Sequence, residues 1–130
     1  MNILRPADIE NEIRLALADY FTVYVRPLPA AFSVPSLLIT AAGGNTEKTI
    51  DTFTVNIDAR AETDEDACDL LRTALGVLEE RGQQQAGALR NVSINSLARW
   101  GSDPARPDLK LCSATVLVIA HREPFTIDES

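Results

Sequence analysis

The segment formed by residues 50–80 changes from a strand pattern to a helix pattern within a few residues. Apolar and polar residues alternate over residues 53–60, which is the two-residue period of a strand with one buried face. Apolar residues then recur at helical spacing over residues 67–78, behind an N-cap threonine at Thr63. The junction holds no glycine-rich phosphate loop, no nucleophile elbow and no pair of metal ligands. This pattern predicts a compact α+β domain and indicates no chemistry.

Length and composition are those of a single globular domain. The chain has 130 residues, and a chain of this size buries roughly two-thirds of its unfolded surface. Apolar residues make up 45% of it and aromatic residues only 5%, so the core is expected to be aliphatic. The net charge of −7 argues against a basic surface that binds nucleic acid.

The ends and the cysteines point to a cytoplasmic protein without membrane contact. Residues 1–14 lack the basic and apolar segments of a signal peptide. The longest apolar run, at residues 114–120, is far shorter than the ~20 residues of a membrane helix. Cys68 and Cys112 fall in different predicted elements, where we expect them to be buried free thiols.

The periodicities predict the element order α-β-β-β-α-β-β. Gly43, Gly44 and Asn45 form a turn signal, which predicts an antiparallel hairpin with a polar tip at residues 42–49. We expect a domain over residues 1–124 and a flexible tail at 125–130. The helices are expected at residues 6–20 and 63–82, the strands at 22–26, 36–41, around 53, 91–100 and 109–121, and a loop at 101–108.

The last predicted strand is apolar on both of its faces. These faces are formed by Leu111, Leu117 and Ile119 and by Ala114, Val116 and Val118. Such a strand lies inside a sheet that is covered on both sides. We expect a mixed, mainly antiparallel sheet with both helices packed on one face. A neighbouring subunit is one way to cover the other face.

Residues of catalytic or metal-binding type have structural explanations. His121 is the only histidine, has no partner at ligand spacing and is expected to be exposed at a strand end. The acidic residues between positions 62 and 69 stand at the start of the second helix, where they stabilise its free amides. They lack the spacing and the glycine of a calcium loop. We therefore expect no catalytic residue, no cofactor and no metal.

Trp100 stands at a predicted strand end and has two possible roles. An arginine, Arg99, precedes it, and Asp103 follows in a loop that contains prolines. A tryptophan beside an arginine at such a place suits a surface that contacts another protein. The alternative is that Trp100 closes the end of the core, and the sequence leaves both open.

Taken together, the segments resemble the tail terminator family of long-tailed bacteriophages, also called tail completion or minor tail proteins. Many proteins of this type occur in actinobacterial phages and prophages. The strand-to-helix passage at residues 53–67 is the most characteristic part, because it is similar to the V-D-V-W-A strand and T-x-x-E-A helix start of such proteins. The resemblance covers residues 9–122, and its other segments are 24–29, 37–44, 99–107 and 113–118.

The resemblance implies structural work without catalysis or a cofactor. Tail terminators form a ring, usually a hexamer, that caps the tail tube and offers a surface to the head–neck connector. It therefore implies self-association, contacts with the tube and connector proteins, and a place in the virion after assembly in the host cytoplasm. Six copies would carry a charge of about −42, so DNA would pass through without specific binding.

A ring of identical subunits needs two different contact surfaces on each subunit. One candidate is the hairpin tip, and the other is a set of residues near the predicted ends of the third and fourth strands. The candidate residues are Asn45, Thr46, Glu47 and Lys48 for the first surface, and Arg60, Arg99, Trp100, Asp103 and Arg106 for the second.

Two other functions are compatible with an α+β domain. The first is a head-closure or minor capsid component, which gene neighbourhood would separate because a terminator gene lies just before the tail tube gene. The second is a small-molecule-binding or enzymatic domain, which requires a concave pocket with converging polar groups.

Overall fold

The computed structural model describes residues 1–47, 50–103 and 106–128, with every side chain in them except those of Ala98, Arg99 and Asp103. Within these residues the chain forms seven strands and two helices. In chain order they are β1 (Asn2–Arg5), α1 (Ile9–Leu17), β2 (Val23–Val25), β3 (Ser36–Glu47), β4 (Ile50–Ala61), α2 (Asp64–Gln83), β5 (Leu89–Asp103), β6 (Arg106–His121) and β7 (Glu123–Thr126).

Five of the strands form the main sheet, in the order β2-β3-β4-β6-β5. The short strand β2 runs parallel to β3, and the other neighbouring pairs are antiparallel. The longest ladder joins β4 to β6, from the pair Ile50 and His121 to the pair Ala61 and Lys110. The fold is therefore the predicted α+β domain with a mainly antiparallel sheet, and β6 lies inside the sheet as expected.

Both helices pack on one face of this sheet, as predicted. The alternation along β4 and β6 turns Val55, Ile57, Ala114 and Val116 to the same side, where they join one buried cluster with α1 and α2. The largest fully buried side chains are isoleucine, leucine and valine. The predicted aliphatic core is confirmed.

The opposite face of the sheet is polar at its centre. Ser113 donates a hydrogen bond to the Asp58 carboxylate at 2.6 Å, and Thr115 donates one to the Asn56 side-chain oxygen at 2.9 Å. These pairs lie side by side on β4 and β6. The predicted apolar residues of β6 on this face, Leu117 among them, are half-buried beside them. This face therefore needs less apolar cover than the sequence pattern indicated.

The helix starts follow their capping residues. The Thr63 hydroxyl accepts a hydrogen bond from the Asp66 amide at 3.1 Å, which confirms the predicted N-cap of α2. The first helix is shorter than predicted because Asp8 caps it, with its carboxylate accepting from the Asn11 amide at 3.4 Å. It ends at Leu17, well before the predicted residue 20.

The expected loop at residues 101–108 is wrong for the part that the structure describes. Residues 101–103 continue β5 and residues 106–108 begin β6, with Asp103 opposite Arg106. Pro107 fits here because β6 gains its β4 partner only from Lys110 onward, so a missing N–H on that side breaks no ladder. The proline and glycine content predicts a loop, whereas residues 101–103 and 106–108 form the end of a long hairpin.

The glycines at positions 43 and 44 form a β-bulge inside the β3–β4 ladder, where the sequence predicted a turn. The pairing shifts between Ala41 and Gly44, and the strand continues to Glu47. Gly43 has a positive φ of 116°, which favours glycine. A Cβ on Gly44 would lie 2.1 Å from the Thr52 carbonyl oxygen.

The two chain ends form a second, two-stranded sheet. β1 pairs antiparallel with β7, from Asn2 opposite Thr126 to Arg5 opposite Glu123. The sequence placed residues 125–130 in a tail, whereas Phe125 and Thr126 belong to this sheet. The pairing was missed because each strand has only four residues and its partner lies at the other end of the chain.

Two glycine-to-alanine substitutions should have opposite effects on stability. Gly44→Ala should lower the free energy of unfolding by about 2 kcal/mol, because the new methyl group meets backbone that cannot move away. Gly76→Ala should raise it by about 0.8 kcal/mol, because Gly76 lies in α2 with open space around it. Urea unfolding followed by circular dichroism measures both. Equal effects of the two changes would contradict the bulge.

Candidate functional site

The predicted contact residues fall at opposite ends of the main sheet. We define the ribbon end as β1, β7 and the tip of the β3–β4 hairpin up to Glu47 and from Ile50. The hairpin end consists of residues 97–103 of β5, residues 106–109 of β6, and Phe32 and Arg60 beside them. Arg60 follows Asp51 by nine positions along β4, which corresponds to roughly 30 Å.

The paired chain ends form the outermost part of the ribbon end. The Met1 amino group donates to the Ile127 carbonyl at 2.9 Å, and the Ile127 amide donates back to the Met1 carbonyl at 2.8 Å. Alternation then places Met1, Ile3, Phe125 and Ile127 on one face of the ribbon. The Arg5 guanidinium lies 3.7 Å from the centre of the Phe125 ring and pairs with the Glu123 carboxylate.

An ion pair anchors the ribbon where it leaves the main sheet. Arg122, between β6 and β7, donates from Nε and Nη2 to the two Asp51 carboxylate oxygens, at 3.2 and 3.3 Å. Only 4% of the Asp51 side chain is exposed, and 22% of the Arg122 side chain. A buried carboxylate held by two bonds fixes the direction in which the chain leaves β6.

Two arginines meet one phenylalanine at the hairpin end. The guanidinium carbons of Arg60 and Arg106 lie 6.0 and 5.8 Å from the centre of the Phe32 ring, within the range of a cation–π contact. Arg106 also donates to both Asp108 carboxylate oxygens at 3.2 and 3.1 Å. These hydrogen bonds hold the pKa of Asp108 below its usual value.

The β5 strand borders the sheet and carries two exposed apolar side chains. Leu97 is 71% exposed and Trp100 is 57% exposed. In the part of the chain that the structure describes, β5 pairs with β6 and with no other strand. Trp100 stands opposite Cys112, on the side of the sheet that carries the helices. Because Trp100 is exposed, the interpretation that it closes the core is not supported.

The structure places the predicted contact residues as follows. Asn45, Thr46 and Glu47 are exposed on the last residues of β3, while Lys48 lies outside the described residues. Arg60 and Arg106 come together at Phe32, but Arg60 is only 9% exposed and so offers little surface. Arg99 and Asp103 lie on β5, and their side chains are outside the described part.

The ribbon was missed by sequence reasoning, although one signal for it exists. Phe125 and Ile127 alternate with Thr126 and Asp128, which is the two-residue pattern of a strand. A pattern of four residues is too short to be distinguished from chance without knowledge of its partner, β1.

The histidine and the two cysteines lie at ordinary positions in the sheet and in α2. His121 is exposed at the end of β6, and its amide donates to the Ala88 carbonyl at 2.9 Å. Cys112 is buried and Cys68 is half-buried, and both are free thiols. Burial, followed by the neighbouring Cys68 thiol, raises the pKa of Cys112. Their proximity across α2 and β6 was not visible in the sequence.

The acidic residues of α2 act at its start, and the described residues show neither a metal-binding cluster nor a membrane-spanning helix. Asp64, Glu65 and Asp66 form the first turn, next to the capping Thr63. Among the described residues, no group of three or more His, Cys, Asp or Glu side chains could hold a metal ion. None of the described helices is long and apolar enough to cross a membrane.

Comparison with protein-family models and with curated protein sequences finds no match to this chain.

The anchoring ion pair should matter far more than the exposed one. Asp51→Asn should lower the free energy of unfolding by about 3 kcal/mol, because it leaves the Arg122 charge without its carboxylate in a poorly solvated place. The control Asp108→Asn removes an exposed carboxylate with the same two-bond geometry and should leave stability nearly unchanged. Chemical unfolding of both variants measures the difference. Similar losses for the two would show that Asp51 is not the anchor.

Proposed function

We propose that this chain is the subunit of a ring that ends tail-tube polymerisation in a long-tailed bacteriophage and joins the tail to the head–neck connector. The ring would be a hexamer in the virion, assembled in the host cytoplasm and working without a cofactor. The observation that carries the proposal is the presence of two different exposed surfaces at opposite ends of one sheet. Identical subunits close into a ring through two such surfaces.

The two surfaces differ in the way that head-to-tail contacts require. The ribbon end exposes apolar side chains on a narrow two-stranded sheet. The hairpin end exposes Leu97 and Trp100 along a border strand. A contact between two unlike surfaces is heterologous, so subunits joined in this way follow one another around an axis.

The charge and the polar sheet face fit a ring through which DNA passes. With a net charge of −7 on each subunit, an assembly of several copies repels the phosphate backbone and does not retain it. The sheet face without helices carries polar hydrogen-bonded pairs, Asn56 with Thr115 and the Asp58 carboxylate with Ser113, and no basic side chain takes part in them. Partners would be further copies of the chain, the tube protein and the connector protein.

A head-closure or minor capsid component is the alternative within the same class of particle. It would share the ring and the acidic surface but would bind the connector and not the tube. A small-molecule-binding domain is less favoured, because a groove of about 410 Å³ beside α2 is lined by the separated polar groups of Tyr20, Arg72 and Glu80 and no catalytic pair.

The test is a tube-capping assay with the tube protein encoded next to this chain. Polymerised tubes are mixed with the purified chain, and electron microscopy records tube lengths and the appearance of tube ends. We expect a ring at one end of each tube, and shorter tubes when the chain is present during polymerisation. Unchanged lengths and bare ends would contradict the proposal, and binding to the connector protein alone would favour the head-closure function.

A further inference from the structure

The exposed apolar side chains are concentrated at the ribbon end. Among the described residues, nine large hydrophobic side chains are exposed, and five of them lie there. Their exposed fractions range from 40% to 63%. These five residues are Met1, Leu4, Ile50, Phe125 and Ile127.

The ribbon has little support from the rest of the domain. The extensive contacts of β1 and β7 are with each other, and the Asp51–Arg122 pair holds only the point where β7 begins. A two-stranded sheet of four residues per strand is marginally stable in water by itself. An exposed apolar ribbon of this kind gains stability when another surface covers it.

The border strand β5 offers an edge to which a strand of the ribbon can pair, together with exposed apolar side chains. It runs over fifteen residues, and the backbone groups on its outer side have no strand partner in the described part of the chain. Exposed Leu97 and Trp100 lie along it. An unpaired border strand accepts a further strand through main-chain hydrogen bonds, with side chains adding specificity.

We propose that the ribbon of one copy docks along the outer edge of β5 in a second copy of this chain. The proposal rests on the self-association part of the proposed function and names the surfaces that carry it. Because the ribbon end and the exposed part of β5 lie toward opposite ends of the sheet, each copy has both surfaces to offer. The contact therefore repeats from copy to copy.

The apolar face of the ribbon supplies much of the apolar area of a stable contact. Met1, Phe125 and Ile127 lie on this face and expose roughly 290 Å² of mostly apolar surface, taking ~200 Å² for a fully exposed side chain of this size. One side of a standard interface covers ~800 Å², and slightly more than half of that is apolar. This one face of the ribbon thus supplies about two-thirds of the apolar area that one partner contributes.

Charge does not oppose the contact. Arg5 and Glu123 on the apolar face of the ribbon neutralise each other, and the Arg5 guanidinium stacks on Phe125. On β5, residues 91–97 are all uncharged, and the exposed ones among them include Asn91, Ser93 and Asn95. Arg90, which precedes this stretch, is half-buried and donates to the Gly87 carbonyl at 2.8 Å. Residues 91–97 therefore carry none of the charged side chains by which proteins commonly prevent strand addition.

The test uses one variant in each surface and a matched control. Phe125→Asp places a charge in the ribbon face, Trp100→Asp places one beside the β5 edge, and Leu15→Asp does so at an exposed leucine of α1 outside both surfaces. Sedimentation across concentration measures the association constant. Each of the first two changes should lower it at least about 10-fold, and the control should leave it unchanged. Circular dichroism confirms that all three variants are folded.

Mixing the two surface variants distinguishes the possible arrangements. Each retains one intact surface, so Phe125→Asp and Trp100→Asp together should form a dimer and nothing larger. A contact of ribbon with ribbon would leave Trp100→Asp assembling like the unaltered chain, which would overturn the proposal. If Phe125→Asp assembled as well as the original chain, the proposal would also be overturned. The same holds if the original chain stays monomeric at about 1 mM, because even a weak contact of ~4 kcal/mol is half-populated at that concentration.

Failure of this proposal is separable from failure of the proposed function. Rings that cap tubes and still form from Phe125→Asp would leave the function standing and remove the ribbon contact. If copies associate through the ribbon and β5 but leave tube lengths unchanged, the ribbon contact stands and the tail-terminating function does not.

Discussion

The structure depends on the antiparallel pairing of β4 with β6 and on the small side chains that this pairing turns toward α2. Ala59 and Ala114 lie on that face with Val116, and short side chains let a helix approach the sheet closely. On α2, Ala67 and Ala74 are fully buried against it. The small side chains set how α2 packs on the sheet, and α1 joins the same buried cluster. The register of β4 on β6 in turn fixes where the two ends of the sheet lie.

The sequence predicted the parts of this arrangement that local patterns determine. Alternation along residues 53–60 identified β4, and Thr63 with its acidic first turn identified the start of α2. Helical spacing and strand alternation each report which face of an element is buried, so the packing of both helices on one face also followed. These features need no knowledge of distant partners.

The parts that could not be predicted depend on pairing between distant residues. The β1–β7 ribbon joins residues more than a hundred positions apart, and four-residue strands carry too weak a pattern. Gly43 and Gly44 serve a turn or a bulge equally well until the register of β3 on β4 is known. Likewise, the burial of Arg60 depends on Phe32, which arrives from an irregular loop. Trp100 and the hairpin tip are candidates that the sequence proposed, and their role in contacts stays a prediction; the ribbon was not among those candidates.

A sheet with unlike exposed surfaces at its two ends is suited to repeated self-association, and the proposed ring and its role at the end of a phage tail both depend on that property. The most direct measurement is the mass of the unaltered chain in solution, by light scattering on a sizing column over a range of concentrations. The account predicts a closed assembly of six copies of the 14.2 kDa chain, about 85 kDa, that does not grow further with concentration. A mass that stays at 14.2 kDa up to about 1 mM would contradict it.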